Sequence, residues 1–431
     1  MIINLLKKID YIYEKKLFVI YLLFFILILL LSSIFGHAYL DKFPIQFDSN
    51  NQLILKNLPF GYGGLVESLF NEGKYEQEWY GGVQSYLVRF PLLPLLVTGL
   101  LKISQNFYFL IITKNIIFFT IFFFISHYSL RSLNKSYITF LFLLSLILYN
   151  YYNLIVIMAF DYTDGIIAIL LPCTFLILIS RINKKSIFLS ILLFLLFFTK
   201  TTMFYLTFII PILFFFLNKN NNRTLRLLPL FTVIIANLIW GSFGYVKTGK
   251  FPFGSDISSS NQEALHVAFN KDFHKYYPKM SVDLIPRIQS NKKFDNEWKY
   301  HEFYKKINSE YFLYNKERIM KDILIKIKFI LFNYRKDAVH PDKNGNYENP
   351  VMFSHIINRV IFITSLLYLL KNIFKGIKNT KINSIDYYFF FIICFSLLPH
   401  LAGWATSKHL VPIFLISHIY LLLNINYFKN R

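Results

Sequence analysis

The chain alternates long apolar runs with short connectors rich in lysine and arginine, and that alternation decides its class. Runs fall at residues 17 to 36, 106 to 128, 136 to 157, 165 to 181, 186 to 199, 203 to 217, 226 to 245, 356 to 371, 385 to 400 and 409 to 425. A helix needs about 20 apolar residues to cross a bilayer, fewer where the membrane thins. So many runs near that length exceed what one soluble core can hide. Composition agrees, because 55% of residues are hydrophobic and 19% aromatic, with a mean hydropathy of +0.44, outside the range of soluble domains. The expected fold class is an all-α polytopic membrane protein of about 10 transmembrane helices.

Lysine and arginine (46) outnumber aspartate and glutamate (24), but the excess lies in the connectors RSLNKS (131 to 136), RINKK (181 to 185), NKNNNRTLR (218 to 226) and KNIFKGIKNTK (371 to 381). Basic loops between apolar runs report orientation in a membrane, which excludes a nucleic-acid partner as the cause of the charge. With all four connectors in the cytoplasm, the first run is an uncleaved signal anchor, and the segments 37 to 89 and 246 to 355 face out. The expected organisation is an N-terminal transmembrane module (1 to 245), an extracytoplasmic region (246 to 355) and C-terminal transmembrane helices (356 to 431). Cys173 and Cys394 lie inside apolar runs, which argues against a disulfide framework.

Parity then assigns the stretch RFPLLPLLVTGLLK (89 to 102). One crossing already separates the first run's outer end from RSLNKS, so a second at 90 to 101 would break agreement with every later connector. The stretch is predicted to be a re-entrant or interfacial helix, with its prolines at the helix start where a missing N–H costs little. Lys114, inside the next run, must snorkel or face a protein cavity. Residues 315 to 333 show apolar spacing against lysines and predict an amphipathic helix lying on the membrane.

Four motifs carry chemistry. The first outer segment holds Asp41 and Asp48, then GYGGLVESL (61 to 69) with Tyr62, then Arg89 opening RFPLLP. MAFDYTDGIIAILLP (158 to 172) puts Asp161 and Asp164 in a turn between runs; LFFTKTTMFYL (196 to 206) offers Lys200; WATSKHLVPIF (404 to 414) offers Lys408 and His409. In this order the motifs resemble the C-fold superfamily of membrane glycosyltransferases, which use polyprenyl-phosphate-linked sugars and include protein O-mannosyltransferases and lipid A aminoarabinose transferases. The resemblance implies a C-fold architecture with a large outer loop, and inverting transfer from a polyprenyl-phosphate donor to a lipid, glycan or protein acceptor. Asp48, with Asp41 as the alternative, becomes the catalytic base that accepts the acceptor's proton. Arg89, Lys200 and Lys408 become ligands of the departing phosphate, with Tyr62 and His409 beside them. Asp161 and Asp164 orient the acceptor or hold a divalent metal ion, the one cofactor such carboxylates suggest.

Plainer readings stand beside each role. Asp41 and Asp48 are also ordinary loop acids; Asp161 and Asp164 also cap a helix; Lys200 and Lys408 also serve as interfacial anchors. His400 and the scattered loop histidines read as structural. A polysaccharide polymerase or ligase, or a transporter of polysaccharide or lipid-linked sugar, remains the alternative, although transporters often carry internal repeats and none is visible. Abundant Lys, Asn, Ile and Phe point to an AT-rich genome, hence a bacterial inner membrane with the site facing the periplasm or exterior.

Overall fold

The computed structural model describes residues 17–33, 46–54, 62–79, 83–135, 137–149, 163–218, 222–253, 265, 294–332, 349–378, 383–402 and 407–424. Within these the fold is all-α apart from two short hairpins. Helix α1 is Leu17–Ser33. After it come hairpin β1 (Gln46–Phe47) and β2 (Leu53–Ile54), helix α2 (Gly63–Asn71), hairpin β3 (Gln77–Trp79) and β4 (Val83–Ser85), and helix α3 (Leu92–Ile103). The bundle continues through α4 (Phe107–Ser132), α5 (Tyr137–Tyr149), α6 (Thr163–Ile179), α7 (Lys185–Phe197), α8 (Phe204–Leu217) and α9 (Arg223–Thr248). Then follow α10 (Glu297–Tyr314), α11 (Lys316–Phe332), α12 (Asn349–Lys378), α13 (Ser384–Ala402) and α14 (Ser407–Asn424).

Four helices are long and apolar enough to cross a membrane: Phe107–Ser132, Arg223–Thr248, Ile356–Lys378 and Ser384–Ala402. The remaining apolar helices are shorter, and the reason is visible in α6. Every one of its 17 residues is buried, as expected of a helix that is apolar all round. It packs against α4, α7, α13 and α14, so protein rather than lipid surrounds it.

The basic connectors meet at one end of the bundle. Arg181 donates its backbone N–H to Ser132 Oγ at 2.9 Å, Lys135 Nζ reaches the Leu423 carbonyl at 3.0 Å, and Tyr368 donates to the Asn424 carbonyl at 3.3 Å. At this end Asn372, Asp386 and Tyr420 also share hydrogen bonds. The start of α6, the end of α7 and the end of α13 therefore lie at the opposite end.

Helix α3 begins and finishes at that opposite end. Its 12 residues rise about 18 Å, well short of the roughly 30 Å hydrocarbon thickness. Its start is tied to the end of α7 by Leu92 N–H to the Phe198 carbonyl at 3.0 Å. Its finish leads within three residues into α4, whose other end meets Arg181. Pro91 and Pro94 remove two of the N–H groups that a helix start leaves without intrahelical partners, and the Leu92 donor is satisfied across the bundle.

Helix α9 stops at Gly249, which adopts φ +73°, a left-handed turn that glycine makes without strain. Beyond it the chain folds back. A Cβ on Gly241 would stand 2.0 Å from the Phe251 ring, and one on Gly244 would stand 2.3 Å from Pro252. The two glycines form a notch that seats Phe251 and Pro252 against α9.

Helix α11 is amphipathic in the reverse of the soluble sense. Asp322, Lys326 and Ile330 face the protein, while Met320, Leu324 and Phe332 are exposed beside Lys321 and Lys328. Lys114 is wholly buried inside the protein, which settles against snorkelling.

In a variant with Cys173 and Cys394 replaced by serine, Gln84→Cys and Gln105→Cys, which flank α3, will be labelled by a membrane-impermeant maleimide from the same side. Lys184→Cys will be labelled only from the other. Labelling of position 105 together with 184 would mean that α3 crosses the bilayer.

Candidate functional site

The central helix α6 begins with a charge. Asp164 stands in its first turn at 5% exposure, where the positive end of the helix dipole favours an anion. An isolated carboxylate in such a place is expensive to bury, so a partner is required. Lys200, from the turn between α7 and α8, supplies it, with Nζ 2.8 Å from Asp164 Oδ1. The turn is extended at Lys200 and then tightens into a 3-10 turn over Thr201–Met203, which brings Thr202 up beside the ion pair.

Asp164 and Thr202 line a narrow cleft of about 250 Å³, counting space open to solvent. Asp164, Ile167 and Leu171 form the α6 wall, Thr202 and Met203 the turn, Ser396 and His400 the α13 wall, and Pro412 and Ile413 the α14 wall. The Thr202 and Ser396 hydroxyls have no hydrogen-bond partner among the described residues. Buried polar atoms are rarely left so; two of them flanking an ion pair in one cleft are what a polar ligand or water would satisfy. Behind the α13 wall, Lys326 of α11 donates to the Leu401 carbonyl at 3.2 Å, next in sequence to His400. Burial pushes the Lys326 ammonium down to about 8, against the raising influence of Asp322 one turn back.

The Arg89 segment joins this region by its backbone and rings. Phe90 packs on Phe197 and Trp240 with centroids 5.3 and 5.0 Å apart, and Leu92 bonds the Phe198 carbonyl, two residues before Lys200. Arg89 itself is half-buried, its guanidinium 5.4 Å from the centre of the Tyr62 ring. Its carbonyl accepts from the Tyr75 hydroxyl at 2.7 Å. Tyr62 is buried at the start of α2. Neither Arg89 nor Tyr62 lines the cleft; they form a second patch linked to it by Phe90.

Asp48 does not line the cleft either. It closes the turn between β1 and β2, and its Oδ1 accepts from the amides of Asn50 at 2.9 Å and Gln52 at 2.7 Å. That is the ordinary turn role of an aspartate, and it leaves Oδ2 turned to other use. The hairpin is fastened to α2 through the Asn71 amide, which exchanges hydrogen bonds with both the N–H and the carbonyl of Leu53. Asp41 and Asp161 lie outside the described residues, as do the side chains of Lys408 and His409 at the start of α14. Among the described residues no group of three His, Cys, Asp or Glu side chains gathers as a metal site would.

Ser396 carries no motif, and Thr202 lies inside LFFTKTTMFYL without being singled out there; His400 reads from the sequence as structural. One signal was available. Ser396 and His400 are four residues apart in an otherwise apolar run, hence on one helix face, and a polar face inside a membrane segment marks a functional surface.

Compared with protein-family models, with curated proteins and with solved structures, the chain matches none. What it does must be argued from the cleft and its neighbours.

Breaking the ion pair leaves one buried charge uncompensated, at a cost of about 3 to 5 kcal/mol. Asp164→Asn is therefore expected to lower the thermal midpoint of the detergent-solubilised protein clearly, and Asp164→Asn with Lys200→Met to recover most of the loss. An equal loss in the double variant would place the stabilisation elsewhere.

Proposed function

We propose that the chain is a membrane glycosyltransferase of the C-fold kind, moving a sugar from a polyprenyl-phosphate donor to a lipid, glycan or protein acceptor. In this reading it sits in a bacterial inner membrane, its shorter apolar helices complete the crossings to about ten, and the cleft end faces away from the cytoplasm. The observation that carries the proposal is convergence. The segments around Asp164 and Lys200 and the facing residues of α13 and α14, far apart in sequence, meet at one cleft, and the Arg89 segment is bonded to the end of α7 just before Lys200. These were the stretches whose order suggested the superfamily.

The chemistry needs a carboxylate, cations and a dry wall. The acceptor oxygen attacks the anomeric carbon, the bond from that carbon to the phosphate oxygen breaks, and the electron pair leaves on the polyprenyl phosphate. The acceptor's proton passes to a carboxylate. Asp48 Oδ2 or Asp41 takes that proton in the proposal, and Asp164, fixed by Lys200, orients the acceptor. Arg89 and Lys200 stabilise the charge developing on the phosphate, with the Thr202 and Ser396 hydroxyls as further donors.

The test compares envelope glycans and lipids by mass spectrometry in cells with and without the protein, then assays the product so found in membranes carrying variants. Arg89→Ala and Asp164→Asn are each expected to reduce transfer about a hundredfold or more, the scale of losing an electrostatic contact in the transition state. Full transfer by both variants would end the proposal.

A further inference from the structure

Among the described residues, the second long segment is hydrogen-bonded to the first through Glu297. Glu297, the first residue of α10, is 1% exposed. Its Oε2 accepts the backbone N–H groups of Leu87 at 3.1 Å and Tyr86 at 3.3 Å, and its Oε1 stands 3.4 Å from the Tyr86 nitrogen. The start of α10 presents N–H groups, its carbonyls being used within the helix, so it offers these amides no backbone acceptor. A side-chain carboxylate is thus what joins the two segments, 210 positions apart. Phe294, Tyr300 and Tyr304 pack with Val83 beside the joint.

We propose that Glu297 is a positioning residue, through which α10 holds the strand that leads into Arg89 and releases it as a unit. Its meaning for sugar transfer rests on the glycosyltransferase reading; the fastening itself does not. Two residues after Leu87, Arg89 is stacked on Tyr62 and held at its carbonyl by Tyr75. Residues 86 and 87 are the flank that leads into Arg89, and the Glu297 carboxylate is the acceptor that holds their amides.

The fastening responds to protons. Burial pushes the Glu297 carboxyl up to about 7 from its ordinary 4.5, against the lowering influence of the Leu87 and Tyr86 amides. Undocked and hydrated, it returns to the ordinary value. The docked state thus holds more protons between these values, so docking is strongest below about pH 4.5 and is progressively lost as pH rises to just above 7. The charged and titratable neighbours among the described residues are few. Lys247 stacks on Tyr86, Lys250 pairs with Glu302, Lys299 pairs with Asp295, and Glu76 and Lys74 act on Tyr86. His301, one turn along α10 and buried, is the one neighbour whose ordinary value falls in the same window.

The experiment is hydrogen exchange by mass spectrometry on the full chain in lipid nanodiscs at pH 5.5 and 7.5, corrected for intrinsic exchange. In the unaltered chain the peptide containing Tyr86 and Leu87 should open about tenfold more readily at pH 7.5. Glu297→Gln should abolish that difference, His301→Gln should keep it, and a peptide within α4 should be unchanged throughout as the measure of intact folding. Equal protection at both pH values in the unaltered chain overturns the proposal without recourse to any variant; so does a pH difference that survives Glu297→Gln or disappears with His301→Gln. Because exchange is read without substrate, the fastening can stand while transfer fails, or fail while transfer stands.

Discussion

A carboxylate at the head of a fully buried helix needs a cation, and this requirement organises the cleft end of the molecule. Helix α6 is enclosed on all sides by protein, so Asp164 has no route to bulk water along the helix face. The ammonium of Lys200 answers it at 2.8 Å. To deliver that ammonium, the chain between α7 and α8 must leave the helix and turn inward, and doing so presents the Phe198 carbonyl to α3 and the Thr202 hydroxyl to the cleft. One electrostatic demand thus fixes a turn, a neighbouring helix and a polar lining.

Much of this was legible in the sequence. Helix-length apolar runs, the basic connectors and the parity argument for residues 90 to 101 needed only hydropathy and charge, because lipid imposes simple rules on the backbone. α3 is as short as the expected re-entrant or interfacial helix requires, and the connectors at 131 to 136 and 181 to 185 share one end. The motifs around Asp164 and Lys200 were visible as charged interruptions of apolar sequence. Their ion pair was not, since 36 positions separate them and pairing depends on how helices pack. Ser396 looked like one of many small polar residues in an apolar run; only the closeness of Thr202 makes it part of a surface.

The acids of the first long segment show the opposite limit. Asp48 looked like a candidate base for its place after the first run, yet its nearest obligation is local, to two amides of its own tight turn. Glu297, which no motif marks in the sequence, is buried and serves two backbone amides that lie in the other long segment. A sequence states which residues can carry charge; which of them must give up water is decided by contacts between distant parts of the chain. Helix α11 adds a third case, where apolar residues spaced against lysines were readable but the partner of its inward charges was not. Its inward side is charged because Lys326 finds the free carbonyl at the end of α13, which an apolar side chain could not satisfy.

The glycine notch in α9 has a bearing on how the second long segment finds its place. Phe251 and Pro252 are seated against Gly241 and Gly244, so the chain sets out towards α10 from a fixed anchorage. Residues 254 to 293 then run between that anchorage and the Phe294 cluster. Glu297 and the amides it serves belong to one covalent chain, so their encounter does not depend on a second molecule. Re-engagement after each detachment is therefore an intramolecular event, quick and independent of how much protein the membrane holds.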